Sequence, residues 1–369
     1  MASQQQNIQN PFLLVEEEIL KETNARGDLS KLAKWGDLEN IVTYLYALKK
    51  SPGKERCLIL TGFPCIEGEY EHNSLSCNLQ FTAKRNLQET DGIAGAIAIA
   101  RALGPNKCII GIEENIESSS REVKHCAVQI VKHVLKNLGE NAIDVLEEEQ
   151  GSGVDTFRIL CLPTQAQLRN QNTALEFQKK VVEKLSPYSI VAIEKAGYSS
   201  LKFDKDKQGI AHGGGRAYTM KGRDITSECV PVDIMKHLWD HATLRMAVGD
   251  GGNELGLGSV NILTRQYVPL GEKIACDPEF SADHVLIAGV SNWGGYSIGL
   301  GLLSKEVNQG VLSNHALIDE KSERSIAETL KEYNVCDGVS GESKNCTVDG
   351  IDFDIHMKLL DKISRMLKL

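Results

Sequence analysis

The residues of this chain whose types and spacing could do chemistry are acids at the ends of apolar runs and inside glycine-rich turns. Ser189-Ile190-Val191-Ala192-Ile193 is an apolar run that stops on Glu194. A carboxyl held among apolar neighbours at a strand end suits a general base or acid, and the competing reading is an ion pair with Lys195 or Arg216. The densest glycine loop, GDGGNELGLG at 249–258, has the look of a phosphate cradle. It lacks the Lys and Ser/Thr of a P-loop, and Glu254 stands where a dinucleotide fingerprint has its third glycine. Asp250 and Glu254 repel phosphate and attract an ammonium group or a divalent cation, and Asn253 adds a neutral oxygen that hard metals accept.

Three further segments carry polar groups in suggestive places. Glu89-Thr90-Asp91-Gly92 precedes an apolar, helix-like run, so Thr90 or Asp91 is either an ordinary helix cap or part of a site. HGGGRAYTMKGRD at 212–224 offers His212, Arg216, Lys221 and Arg223 for clamping carboxylates by charge-assisted hydrogen bonds, or forms a solvated basic loop. Ser291-Asn292-Trp293 can place an amide donor at a developing oxyanion; equally, Asn292 satisfies a turn and Trp293 packs. His237 and His241 have the i, i+4 spacing of a helical zinc pair, but without the glutamate of H-E-x-x-H they read as ordinary histidines.

These segments must be positioned by regular elements, and the chain is punctuated as an α/β protein: short apolar runs ending in glycine-rich loops, followed by helical patterns. Strands are expected at 56–61, 107–112, 142–147, 157–162, 189–193, 244–248 and 285–290. Helices are expected at 11–23, 40–49 (with Asp37 as a cap), from 90 or 91 onward, 125–138, 173–185, 231–242, 259–267 and after 296. Gly95 allows close packing of the helix that bears it. The expected fold is α/β, a mostly parallel sheet with flanking helices in a Rossmann-like three-layer arrangement. A helical extension over 1–50 precedes the α/β domain, 51–369. In such sheets ligands bind beyond the carboxyl ends of the strands, where the polar loops fall.

Composition narrows the function classes. The chain has 369 residues, 41 Lys+Arg against 50 Asp+Glu and a net charge of -9, which argues against a phosphate-binding track and a nucleic-acid partner. Its ten cysteines are scattered without a C-x-x-C pair, as expected of core residues in a reducing compartment. The N-terminus lacks a basic segment leading into an apolar run, and no stretch is apolar enough to span a membrane, so a cytoplasmic location and no membrane partner are expected.

TGFP, ETDGIAGAIAIARAL, AIEKAGYS, MKGRDIT, GDGGNELGLGSV, IACD and AGVSNWGGYSIG, in that order, resemble the C-terminal domain of the D-glutamate cyclases. The similarity runs from about Leu58 to Gly301 and continues through CDGVSG and TVDG. It implies a carbon–oxygen hydro-lyase that converts D-glutamate to 5-oxo-D-proline and water. On this resemblance the expected catalytic residues are Glu194 (base, then acid), Asp91, Asp250 and Asn292 (oxyanion). Substrate contacts are expected from Glu89, Thr90, Lys221, Arg223, Asn253, Glu254, Ser291 and Trp293. Asp250, Glu254 and Asp91 would bind the ammonium directly or through a divalent cation such as magnesium, manganese or calcium; no nucleotide cofactor is expected. The family favours Arg-Pro or Arg-Ala after the strand-end glutamate where this chain has Lys195-Ala196. The two-domain cyclases carry a preceding hydro-lyase-like domain for which this chain has no room. The alternative expectation is therefore a non-catalytic amino-acid or nucleotide binding subunit that works with a separate hydro-lyase-like chain. A homo-oligomer is the expected assembly.

Overall fold

Apolar runs of four to seven residues become the strands of one sheet: β1 (Cys57–Gly62), β4 (Cys108–Glu113), β5 (Asn141–Asp144), β6 (Thr156–Leu162), β7 (Ser189–Lys195), β8 (Leu244–Gly249) and β9 (His284–Ile287). The computed structural model describes residues 10–21, 27–66, 86–113, 127–145, 155–165, 176–177, 188–199, 215–311 and 318–369. All pairings in the seven-stranded sheet are parallel, in the order β5-β6-β4-β1-β7-β8-β9. β1, β4 and β7 are buried along their whole length, which is why they read as unbroken apolar runs rather than alternating ones. A small antiparallel pair, β2 (Pro64–Ile66) with β3 (Asn86–Gln88), extends from the end of β1.

From β1 the chain steps outward through β4 and then comes back to β7 on the other side of β1. The topological switch point therefore lies between the carboxyl ends of β1 and β7, where open parallel sheets bind ligands. Side chains alternate between two cores. Ile59, Ile110, Val191 and Ile193 face the first, which the helices Pro11–Ile19, Asp37–Lys50, Ile93–Leu103, Ala127–Asn137, Ser291–Asn308, Glu320–Glu332 and Phe353–Met366 cover. Leu58, Leu60, Ile190 and Ala192 face the second, built with the Val232–His241 helix, Tyr198 and Leu257. The result is the three-layer α/β arrangement.

The N-terminal helices are part of the first core, through Phe12, Val15, Ile19, Leu38, Ile41 and Val42. Asp37 is not the cap of the second helix. Gly36 occupies that position with φ 95°, and Glu16 accepts the Gly36 and Leu38 N–H groups at 2.7 and 2.6 Å. Asp37 turns instead to β9, bonding His284 Nδ1 and the Val285 N–H at 2.9 Å each. A second correction is at 291–296, expected as a loop ahead of a helix: the helix begins at Ser291 itself. The helix expected at 173–185 lies outside the described residues apart from 176–177, as does His212.

Candidate active site

At the end of β7 the register with β1 slips. Thr61 pairs with Ile193 and Gly62 with Lys195, so Glu194 is the extra residue of a bulge. Its φ is +40°, in the left-handed region that non-glycine residues rarely adopt, a strain of about 1–3 kcal/mol characteristic of functional positions. The bulge re-aims Glu194 toward the first core. There Ser291 Oγ donates to its Oε2 at 2.6 Å, fixing one carboxylate oxygen. Gly92, with φ 88°, allows the approach: a Cβ there would stand 2.6 Å from the Glu194 Cβ.

Two helices start at this point and cap one another. Asp91 Oδ1 accepts the N–H groups of Gly92 (2.9 Å) and Asn292 (2.7 Å), and its Oδ2 accepts that of Ser291 (2.8 Å). In exchange, Asn292 Oδ1 accepts the N–H groups of Gly92 (3.0 Å) and Gly95 (2.8 Å). Each helix start is thus satisfied by a side chain from the other, and a cap in trans explains why the second helix begins as early as Ser291. The exchange requires backbone contact, since a Cβ on Gly295 would lie 2.4 Å from Gly95 Cα. Asn292 Nδ2 donates to the Thr90 carbonyl at 3.2 Å, so the contacts of this amide are to backbone rather than to an oxyanion position.

The loop after β8 delivers the third acid. Glu254 curls back into its own loop, accepting the Asp250, Gly251 and Gly252 N–H groups at 2.9, 2.6 and 2.7 Å. The peptide nest that such glycine loops offer to a phosphate is filled here by a carboxylate of the same loop. Asp250 thereby comes to face Asp91 and Glu194. One carboxylate oxygen from each of these three buried residues lies within 4.8 Å of the others. The acids brought together are Asp91, Glu194 and Asp250, in place of the expected set with Glu254, because three backbone donors claim the Glu254 carboxylate.

At 4.8 Å two unit charges repel by roughly 3–4 kcal/mol at an effective dielectric near 20. Two helix N-termini converge on the cluster and supply roughly half a positive charge each, which offsets about one of three negative charges. The remainder matches a divalent cation or a substrate ammonium. Three hard carboxylate oxygens are the donor type that magnesium, manganese or calcium takes, so the residues present fit such an ion.

The other expected residues are arranged around this centre with different partners. Glu89 lies over Gly338, and Thr90 Oγ1 donates to the Thr347 carbonyl at 3.1 Å, tying the helix start to the 336–350 loop that Asp337 organises. Asn253 Nδ2 donates to the Tyr218 carbonyl at 2.9 Å, holding the acidic loop to a hairpin. Lys221 is exposed at the tip of that hairpin, and Arg223 pairs with Glu228 at 3.7 Å. Trp293 is a core residue whose indole N–H donates to His356 Nδ1 at 2.7 Å, which leaves Nε2 of that histidine to donate to the Ile351 carbonyl. Trp293 is thus fully buried in the first core.

Lys195 does not pair with Glu194, and Arg216 pairs with Asp224 at 3.3 Å. Lys195 is fully buried against the second core and forms an ion pair with Glu113 at the end of β4, whose carboxylate also accepts the Val230 N–H. Burial pushes the Glu113 carboxyl above the usual range, and the Lys195 ammonium offsets part of that. Glu113 has the same signal as Glu194: Ile110-Gly111-Ile112-Glu113 mirrors Val191-Ala192-Ile193-Glu194. Two more buried polar residues at the switch point, Thr61 and Gln88, carry no pattern that singles them out.

Two comparisons with known proteins find a family and a relative. A family model described as D-glutamate cyclase-like, C-terminal, matches residues 16–364. The human protein D-glutamate cyclase, mitochondrial, is 36% identical over 134 residues, which cover 31% of this chain and 21% of that protein. The matched stretch thus amounts to about a fifth of that relative's length.

Proposed function

The chain belongs to the D-glutamate cyclase-like, C-terminal family, and from that membership we propose that it closes D-glutamate to 5-oxo-D-proline with release of water, at Asp91, Glu194 and Asp250. The observation that carries the reading is the meeting of these three buried acids at the switch point. They form a negatively charged centre suited to an ammonium group. Asp91 and Asp250 hold the substrate ammonium, and Glu194 takes a proton from it. The freed amine attacks the side-chain carboxyl carbon, a C–N bond forms and a C–O bond breaks. Over the cycle the ammonium gives up two protons and the departing oxygen takes two, so one shuttling carboxyl suffices and no net proton is consumed.

Ring closure is intramolecular, and holding the substrate folded supplies much of the acceleration. The two helix N-termini favour the negative charge that develops on the carboxyl oxygen, the role expected earlier of the Asn292 amide. A divalent cation held by Asp91, Glu194 and Asp250 would add Lewis-acid polarisation of that oxygen. The test is proton NMR of the purified chain with D-glutamate and then L-glutamate, with and without magnesium or manganese. Appearance of 5-oxoproline from the D-isomer is expected. A folded chain that makes none under any of these conditions would overturn the reaction and leave a binding role.

A further inference from the structure

Two buried polar side chains at the switch point are left over by the mechanism. Gln88 closes β3 and is 3% exposed, yet neither its amide oxygen nor its amide nitrogen has a hydrogen-bond partner among the described residues. The hydroxyl of Thr61, fully buried in β1, is in the same position. Thr61 stands with Glu194 around Gly92, and Gln88 stands against the next β1 residue, Gly62. A Cβ on Gly92 would stand 2.8 Å from Thr61 Oγ1 and 2.6 Å from the Glu194 Cβ. A Cβ on Gly62 would stand 2.7 Å from Gln88 Oε1, and Gly62 is the β1 residue paired with Lys195, one position beyond the bulge. The Gln88 amide thus lies over the strand end from which Glu194 departs.

Buried amides and hydroxyls are nearly always hydrogen-bonded, because leaving them bare is costly. A primary amide presents an acceptor oxygen and a donor nitrogen side by side in one plane. Its complement is a group with a donor and an acceptor on one edge. A trans peptide does not qualify, since its N–H and C=O point in opposite directions. A lactam does, because the ring forces its amide cis, and so does a protonated carboxyl. We propose that the Gln88 amide, packed against Gly62 next in the chain to Thr61, recognises the cis-amide edge of a lactam, and so reads the ring-closed product of the reaction. The identity of that lactam as 5-oxo-D-proline rests on the cyclase reading.

The experiment is a binding cycle. The affinities of 5-oxo-D-proline and its N-methyl derivative, which lacks the N–H, are measured by calorimetry on wild type, Gln88→Met and Thr61→Val, with melting temperatures as the folding control. Gln88→Met should weaken 5-oxo-D-proline by about tenfold. N-methylation should cost wild type a similar factor and cost Gln88→Met nothing further. Removing an amide that has no protein partner should leave the melting temperature unchanged or higher. Three results overturn the inference: equal losses on N-methylation in both proteins, as a water-filled contact would give; a lowered melting temperature, which marks Gln88 as structural; or no binding of the lactam to folded wild type. Turnover is read separately. A coupled cycle without turnover sinks the cyclase reaction but leaves this recognition standing, and turnover without coupling does the reverse.

Discussion

Glu194 and Lys195 are neighbours in sequence and end up in opposite electrostatic surroundings. Lys195, against the second core, meets one carboxylate, Glu113, and the charges cancel. Glu194, turned by the bulge toward the first core, meets Asp91 and Asp250, and the charges add. A closed pair asks for nothing more, whereas an open cluster of acids is at its most stable with something positive among them. Burial alone therefore does not mark a site. The balance of charge around the buried group does.

The largest effect should come from removing the acid at the centre of the open cluster. Glu194→Gln keeps the shape and the Ser291 bond acceptor but cannot carry a proton, so turnover of D-glutamate should fall by about 10²–10⁴-fold with the melting temperature little changed. Wild-type-like turnover would move the chemistry elsewhere. On the closed side the loss should appear in stability. Lys195→Met leaves Glu113 buried without its counter-charge and should cost about 3–5 kcal/mol by denaturant unfolding, while Lys195→Met with Glu113→Leu should recover most of it. A double variant as unstable as the single one would show that the pair is not self-contained.

Asp91 belongs to both roles, as cap and as acid, and two substitutions separate them. Asn292→Ala removes the cap on Gly92 and Gly95 and should cost about 1–2 kcal/mol. Asp91→Asn keeps one acceptor oxygen for the helix start but turns its amide nitrogen onto a backbone N–H that the other oxygen accepted, so it should cost about as much stability as Asn292→Ala but far more turnover. If the two variants lose turnover alike, Asp91 is a cap and nothing else.

The smallest effect lies away from the triad. Burial is the largest influence on Glu323 and raises its carboxyl to about 8, with the Tyr296 hydroxyl bond and the Arg101 charge offsetting part of it. The folded state then binds more protons than the unfolded state between the ordinary carboxyl value and 8. The contribution of Glu323 is full in acid and is lost as pH rises through 8, with a slope of at most about 1.4 kcal/mol per pH unit. Glu323→Gln should flatten the fall in melting temperature from pH 5 to 9; an unchanged slope would assign that fall to other groups.

Much of this was legible in the amino-acid order. β1, β4, β7 and β8 fall within a residue or two of the apolar runs, and the acids Asp91, Glu194 and Asp250 stand out at the ends of elements. What was not legible depends on long-range geometry. A one-residue slip between β1 and β7 decides that Glu194 and Glu113, with the same local pattern, face different cores. The Glu254 carboxylate reads as a ligand until its loop is seen to close on it, and the helix reads as starting after Tyr296 until Asp91 is seen to cap it from 200 residues away. Gln88 shows nothing in sequence, because an unanswered hydrogen bond is a property of what surrounds it.

The central claim, that the open cluster takes a positive group, is tested most directly by calorimetric titration of D-glutamate and of magnesium or manganese into wild type and Asp250→Asn. Saturable heat with a raised melting temperature in wild type, lost in the variant, is the predicted result. No heat from any of them, with the melting temperature unmoved in a folded protein, would contradict it.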